Sequence, residues 1–190
     1  GGIGDFILAL GPTLPEEAFD HPQADVWTAK DAKIYPSVCI EGPCIVDRGA
    51  VLRHGAFIRG NAIIGKNCVV GNSVEVKNSV LFDCVQTPHY NYVGDSILGY
   101  KSHMGAGSIT SNIKSDKSPV VVKCGEERID TGRKKFGAVL GDFVEVGCNS
   151  VLNPGAVIGR GTTIYPVSSV RGTIPENSIF KKAGDIAGKK

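Results

Sequence analysis

The sequence has little of what builds helical or membrane-spanning proteins. Among 190 residues there is one Met and one Trp, and aromatic residues make up 7% of the chain. Twenty-five glycines favour turns and short strands over a helical bundle. No apolar run approaches the length of a membrane span. The formal charge of +2 is too small to indicate nucleic acid or a membrane surface as a partner.

The cysteines are few and lack the spacing of a metal or redox motif. The six cysteines contain no C-x-x-C pair, and Cys44 and Cys68 occupy positions where the pattern elsewhere has Ala or Val. We interpret all six as reduced, small hydrophobic residues of a cytoplasmic protein. Residue 1 does not begin a recognisable signal peptide, which agrees with that location.

A period of six residues dominates the chain. Large apolar residues recur at every sixth position in three runs: Ile34, Ile40, Val46, Leu52, Ile58, Ile64, Val70, Val76 and Phe82; Leu98 and Met104; Leu140, Val146, Leu152, Ile158, Ile164 and Val170. Four residues after most of them comes a small or β-branched residue. A period of six fits neither a helix nor a plain strand, and it is typical of the hexapeptide β-helix.

Three such units form a triangular coil of 18 residues, and coils stack about 4.8 Å apart. The sequence therefore predicts an all-β fold, a parallel β-helix shaped as a triangular prism. A β-sandwich would need this spacing to arise by chance. We assign the β-helix to residues 34–170, an N-terminal extension or cap to 1–33, and a C-terminal strand with a basic tail to 171–190. Residues 3–10 are a short helix or strand that covers the first coil. An inserted hairpin is expected within 111–138, its strands at 119–124 and around 133–140.

The six-residue period, or beat, is interrupted in the stretch KNSVLFDCVQTPHYNYVGDS, residues 77–96. This stretch contains Pro88, His89 and two tyrosines, and we interpret residues 83–93 as a loop that leaves the prism wall. His89 is a candidate base because imidazole titrates near neutral pH. Glu75, which projects outward beside Val76, is a candidate partner that orients it.

The coil length also predicts a column of positive charge. Arg59 and Lys77 are 18 positions apart, so they should stack on one outer face, where like charges favour a bound anion such as phosphate. Glu41, 18 positions before Arg59, offers the alternative of an ordinary surface ion pair. The spacing alone does not decide between these two hypotheses.

Three segments resemble a known family. VGNSVEVKNS (70–79), PHYNYVGDSILG (88–99) and MGAGSITSN (104–112) are similar to the C-terminal acetyltransferase domain of bifunctional glucosamine-1-phosphate acetyltransferase / N-acetylglucosamine-1-phosphate uridyltransferases. The block H-x-x-Y-x-G-D followed by G-A-G-x-I-x-x-N is the specific part of the match. The resemblance implies a left-handed winding of the β-helix.

Carried over by position, the resemblance assigns roles to individual residues. It implies His89 as catalytic base with Glu75 beside it. It implies acetyl-CoA as co-substrate, with no metal required for the transfer. The implied substrate ligands are Arg59, Lys77, Tyr92, His103, Asn112 and Lys117, and the implied acetyl-CoA contacts are Ala106, Cys148 and Tyr165.

The implied activity is transfer of an acetyl group to an amino-sugar 1-phosphate, as in nucleotide-sugar precursor synthesis. The family's sites lie between the prisms of a homotrimer, and a separate polypeptide would supply any nucleotidyltransferase. His103 replaces an asparagine of the family, and Ile113 replaces a tyrosine after Asn112. These departures support a non-catalytic trimeric scaffold as the alternative. A zinc hydratase of the γ-carbonic anhydrase kind needs an H-x4-H pair, which the four histidines do not form.

Overall fold

Three parallel sheets form the walls of a triangular prism. The structure is a computed structural model that describes residues 2–189. The chain begins with helix α1 (Ile3–Leu10) and a 3-10 turn (Gly11–Thr13). The strands that follow are β1 (Phe19–Gln23), β2 (Val26–Ala29), β3 (Lys33–Ile34), β4 (Cys39–Glu41), β5 (Cys44–Val46), β6 (Val51–Leu52), β7 (Phe57–Arg59), β8 (Ala62–Ile64), β9 (Val69–Asn72), β10 (Glu75–Lys77), β11 (Ser79–Leu81), β12 (Gln86–His89), β13 (Tyr92–Gly94), β14 (Ile97–Leu98), β15 (His103–Met104), β16 (Ile109–Thr110), β17 (Val121–Cys124), β18 (Glu127–Asp130), β19 (Ala138–Leu140), β20 (Glu145–Val146), β21 (Val151–Leu152), β22 (Ala156–Ile158), β23 (Thr163–Ile164), β24 (Ser169–Val170), β25 (Thr173–Ile174), β26 (Ser178–Lys182) and β27 (Asp185–Gly188).

Each coil contributes one strand to each face in turn. Face A contains β1, β2, β5, β8, β11, β14, β19, β22 and β25; face B contains β3, β6, β9, β12, β15, β20, β23, β26 and β27; face C contains β4, β7, β10, β13, β16, β21 and β24. The prism strands pair in parallel, whereas β1–β2 and β26–β27 are antiparallel pairs near its two ends. The predicted hexapeptide β-helix is confirmed. Strand β2, which lies within the predicted N-terminal extension, already pairs in parallel with β5 of the prism.

Most residues of the six-residue period fill the prism, whereas Ile34, the first of the series, is 37% exposed. Leu52, Ile58, Ile64 and Val70 have no exposed side-chain surface, and the third run, from Leu140 to Val170, is also buried. Burial of apolar surface at about 25 cal/mol per Å² is the main stabilising term of such a one-dimensional core.

The predicted inward position of Phe82 is wrong. Val46 pairs with Ile64, eighteen positions on, but Ile64 pairs with Leu81, only seventeen positions on. The coil is one residue shorter here, so Leu81 is buried while Phe82 is 53% exposed. Leu81 in turn pairs with Leu98, again only seventeen positions on, so two successive coils are each one residue short while the wall stays continuous through residues 77–96.

Two segments pack outside the prism core. Helix α1 places Ile7 against Trp27 and Ile45, so it covers the outer side of face A. The inserted hairpin consists of β17 and β18, paired from Val121–Asp130 to Cys124–Glu127. The second predicted strand was misplaced, because Ala138–Leu140 belongs to face A. Among residues 2–189, no helix combines the length and apolar character needed to cross a bilayer.

Candidate functional site at the edge between faces B and C

His89 lies on the edge where face B meets face C. It ends β12 and pairs with Asn72 of the coil below, and β13 begins three residues later at Tyr92. The predicted loop at 83–93 is wrong, since both strands belong to the prism wall. The imidazole is exposed, and within residues 2–189 it makes no side-chain hydrogen bond or ion pair. His89 therefore faces solvent from a rigid edge, with its side chain available to a ligand.

A buried amide fixes the backbone of His89. Asn91 is 3% exposed, and its Oδ1 accepts the N–H of His89 at 3.2 Å. Its Nδ2 donates to the carbonyl oxygens of Gly105, at 2.8 Å, and Ser108, at 3.0 Å. Asn91 is not among the site residues predicted from the sequence. One signal was available in the sequence. Asn91 occupies an interior position that holds Val74 in the coil below, and an amide buried there requires hydrogen-bond partners.

The turn Gly105–Ser108 lies directly above His89. The N–H groups of Gly105 and Ser108 donate to carbonyls at 2.7 and 3.1 Å, and that of Gly107 donates to the carbonyl of His89 at 3.0 Å. Among the described residues, the N–H of Ala106 has no acceptor. A backbone N–H without an acceptor, next to a candidate base, is the kind of group that stabilises a developing oxyanion.

The three residues assigned to acetyl-CoA follow the same edge upward. The carbonyl of Ala106 accepts the N–H of Asn149, and the carbonyl of Cys148 accepts the N–H of Val167, both at 2.8 Å. Cys148 and Tyr165 are exposed. The edge therefore brings Ala106, Cys148 and Tyr165 into successive coils above His89. Their binding to acetyl-CoA stays a prediction.

Face C contains the predicted basic pair, Arg59 and Lys77, but Arg59 already has a counter-ion. The register Val76–Ile58 places Lys77 beside Arg59. The guanidinium of Arg59 donates to the Glu75 carboxylate at 2.7 Å, and this hydrogen bond raises the pKa of Arg59 above its usual value. The partner of Arg59 is thus Glu75 rather than Glu41. The predicted orienting contact between Glu75 and His89 is not formed, since the Glu75 carboxylate is bonded to Arg59.

A second polar network centres on Asp95, where face C turns into face A. Its Oδ1 accepts Asn78 Nδ2 at 2.6 Å and its Oδ2 accepts Asn112 Nδ2. Lys77 Nζ is 3.9 Å from Oδ2, and Asn112 also donates to the Tyr92 hydroxyl at 3.1 Å. Partial burial, and then the negative charge of Asp95, raises the pKa of Tyr92. Asp95 was missed, although the Gly-Asp of the family block contains it.

Two predicted ligands lie apart from this network. His103 projects from face B, and its Nδ1 is 2.8 Å from Glu145 Oε2. Lys117 is exposed in the turn after β16, where its N–H donates to the carbonyl of Lys114 at 2.9 Å. Within residues 2–189, no side-chain hydrogen bond links either residue to Tyr92, Asn112 or Asp95. The predicted substrate ligands are therefore divided among face C, face B and the loop after β16.

The histidines occupy separate surroundings. His21 stacks on Trp27, with ring centroids 4.9 Å apart, and His54 Nδ1 lies 2.9 Å from Ser37 Oγ. In the part of the chain that the structure describes, no three His, Cys, Asp or Glu side chains are grouped as metal ligands.

The chain is similar in sequence to bifunctional proteins. The chain is 35% identical over 102 residues to a bifunctional sugar-1-phosphate nucleotidylyltransferase/acetyltransferase of Sulfurisphaera tokodaii, covering 54% of this chain and 25% of that protein. It is 37% identical over 101 residues to the bifunctional protein GlmU of Methanococcus aeolicus, covering 53% and 24%. The chain thus spans about a quarter of the length of these relatives.

Solved structures and family models were also compared. The structure of PerB from Caulobacter crescentus, in complex with CoA and GDP-perosamine, covers 94% of this chain and 63% of its own, at 17% identity and a TM-score of 0.47. The family model described as the GMPPB C-terminal domain matches residues 40–179. Since that match includes most of the prism and both polar networks, the chain belongs to the GMPPB C-terminal domain family.

Proposed function

We propose that the protein transfers the acetyl group of acetyl-CoA to the amine of an amino-sugar 1-phosphate. The observation that carries the proposal is the B–C edge, where the exposed His89 lies under a turn whose Ala106 N–H has no acceptor. The relative of Sulfurisphaera tokodaii, which is named as a nucleotidylyltransferase/acetyltransferase, supports the same activity. The alignment covers only part of that relative, so the activity is inferred for this chain.

The chemistry assigns a task to each group. An amine is mostly protonated at neutral pH and must lose a proton to attack. His89 accepts that proton while the amine nitrogen bonds to the thioester carbon. The Ala106 N–H donates to the oxyanion of the tetrahedral intermediate. The C–S bond then breaks, the thiolate of CoA leaves and takes up a proton, and no cysteine is acylated.

The acceptor is held on face C. Lys77 and Arg59 bind the phosphate, and Tyr92 and Asn112 bind the sugar, which places the amine near the thioester. For Arg59 to take part, the phosphate must replace or share its bond to Glu75. Lys77 is the stronger candidate in this structure, because its distance of 3.9 Å from Asp95 leaves its donors free for a ligand.

We further propose that the chain works as a homotrimer, with the face C cluster of one prism closed by a neighbour. His103 and Lys117, which lie away from Tyr92 in one chain, would then contribute from other positions around a shared site. A measured solution mass of three times the 20.0 kDa chain mass supports this assembly. A mass equal to one chain at working concentration contradicts it.

The second candidate, a non-catalytic scaffold, is favoured by the ion pair that already neutralises Arg59. An acceptor panel separates the two functions. Acetyl-CoA is mixed with glucosamine 1-phosphate, galactosamine 1-phosphate or nucleotide-linked amino sugars, and free thiol is followed against a sample without acceptor. Acceptor-dependent thiol release supports the acetyltransferase. Hydrolysis at the same slow rate with every acceptor supports the scaffold.

A further inference from the structure

A cavity of about 210 Å³ lies beside the Asp95 network, at the edge between faces C and A. Ile97 and Val139 of face A form its apolar side, together with Phe136 and with Ile3 of helix α1. Arg133 and Lys135, from the segment that follows the hairpin, form its basic side. None of these six residues belongs to the acetyl-transfer site described above.

The segment that carries the two cations is held to the prism. The N–H of Phe136 donates to the carbonyl of Asn112, and that of Gly137 to the carbonyl of Asp95, both at 2.9 Å. The carbonyl of Arg133 accepts a hydrogen bond from Val120 at 2.8 Å. A Cβ at position 137 would lie 2.1 Å from a backbone carbonyl oxygen of face C. The backbone at 133–137 is thus fixed at a close approach.

The charges of the cavity favour an anion. Within residues 2–189, neither Arg133 nor Lys135 makes an ion pair. Asp95 also lines the cavity, where its carboxylate accepts side-chain amides from Asn78 and Asn112 and offsets one of the two positive charges, which leaves the lining with an excess of one positive charge. This excess attracts phosphate, and the arginine fork is suited to bind it in two places.

The apolar side selects a particular kind of anion. Four apolar side chains next to two cations suit a flat, weakly polar group joined to phosphates, as in a nucleotide. The volume is below the roughly 300–1,000 Å³ of pockets that enclose drug-sized ligands. The cavity therefore takes one end of a ligand whose other end lies outside it.

We propose that this cavity binds the nucleoside diphosphate part of a nucleotide-linked amino sugar. Asp95 borders the cavity and is also 3.9 Å from Lys77, so a ligand can extend past Asp95 from the cavity to face C. The sugar end then reaches the cluster of Tyr92 and Asn112. The role of that sugar as acetyl acceptor rests on the proposed function, whereas binding in the cavity does not.

Equilibrium binding tests the cavity without requiring turnover. UDP, GDP and dTDP are titrated into the full chain by calorimetry, beside Arg133→Ala, Lys135→Ala and the matched control Lys134→Ala, whose side chain does not line the cavity. We expect Arg133→Ala and Lys135→Ala each to raise the Kd of the best nucleotide about tenfold or more, from the loss of a charged hydrogen bond. Lys134→Ala should change it less than about twofold.

Two results would overturn the proposal. In one, no nucleoside diphosphate binds at millimolar concentration, or the three variants weaken binding equally. In the other, CoA displaces the nucleotide and depends on Arg133 to the same degree, which would assign the cavity to the nucleotide end of CoA.

A kinetic comparison separates this proposal from the acetyl-transfer function. If thiol release occurs, Arg133→Ala should raise the KM of a nucleotide-linked acceptor and leave that of the sugar 1-phosphate unchanged. Equal effects on both acceptors contradict the cavity assignment. If no acceptor is acetylated but nucleotide binding depends on Arg133, the acetyl-transfer function fails and the nucleotide site stands.

Discussion

At the level of single residues, the candidate base owes its position to a buried polar partner. Asn91 is surrounded by the interior of the prism, and its amide joins His89 to the turn that contains Ala106. A buried amide with all its partners is stabilising only while the partners remain, because each loss leaves a polar group without a hydrogen bond. Asn91 is therefore a positioning residue that acts through His89 and the turn.

Replacing Asn91 tests this role. Asn91→Ala should lower kcat by about tenfold or more, since small misplacements at a reacting centre are costly. KM for the acceptor should change little, because Asn91 does not contact face C ligands. Steady-state kinetics at several pH values checks the split. A variant whose KM rises while kcat is unchanged would show that Asn91 serves binding and not the alignment of His89.

The sequence predicts residue positions better than residue contacts. The interior positions of Ile58, Ile64 and Val70 could be predicted because a repeated period fixes which side chains point inward. The pairing of Glu75 with Arg59 could not, since Glu41 and Glu75 are both within reach of Arg59 and side-chain conformation decides between them. The sequence indicates Asp95 only as a member of the Gly-Asp motif, and it does not indicate the hydrogen-bond partners of Asp95.

At the level of elements, the spacing between coils limits the size of the side chains that neighbouring strands can accommodate. Gly71, in β9, lies against Pro88, in β12, and a Cβ at position 71 would be 1.7 Å from the Pro88 carbonyl oxygen. No rotamer change relieves a contact with backbone, so the two coils must separate. This close approach holds the Pro88–His89 end of β12 against the prism.

Gly71→Ala should therefore lower the free energy of unfolding by about 1–3 kcal/mol, the usual cost of overpacking. Urea denaturation measures the change. Gly188→Ala is the control, because a Cβ there meets nothing within 4 Å, and we expect a change within about 0.5 kcal/mol. Equal stabilities of the two variants would show that β9 and β12 separate at little cost.

The same level shows why the break at 77–96 was misinterpreted. A missing residue and an excursion both shift the beat, and the sequence alone does not distinguish them. Leu81 and Phe82 are both large and apolar, so either could fill the interior. Only the pairings of Leu81 with Ile64 and with Leu98 identify the two missing residues.

At the level of the whole molecule, the continuous core places two thiols where they cannot ionise. Burial raises the pKa of Cys44 and of Cys68 from 9.0 to about 12. In the unfolded chain these thiols ionise near 9.0, so the unfolded state releases protons first as the pH rises. The stabilising effect is complete below pH 9 and is lost as the pH approaches 12.

We therefore expect the free energy of unfolding to fall between pH 9 and 12, by about 1.4 kcal/mol per pH unit for each thiol. The double variant Cys44→Ala/Cys68→Ala is a suitable reference, because Ala62 occupies the matching buried position in the coil above Cys44. Its stability should depend less steeply on pH in urea titrations. Identical slopes for the two proteins would mean that the thiols do not contribute.

The proposed acetyl transfer depends most directly on His89 as the base at the B–C edge. The decisive measurement is the rate of thiol release from acetyl-CoA, with the best acceptor of the panel, by the unaltered protein, His89→Ala and His54→Ala. His54 is a matched control on the same edge, one coil below Asn72, which donates to its carbonyl at 3.0 Å. General base catalysis contributes roughly 10²–10⁴-fold, so His89→Ala should lose at least about a hundredfold in kcat while His54→Ala stays near the unaltered rate. Equal rates for all three proteins would contradict the assignment of His89.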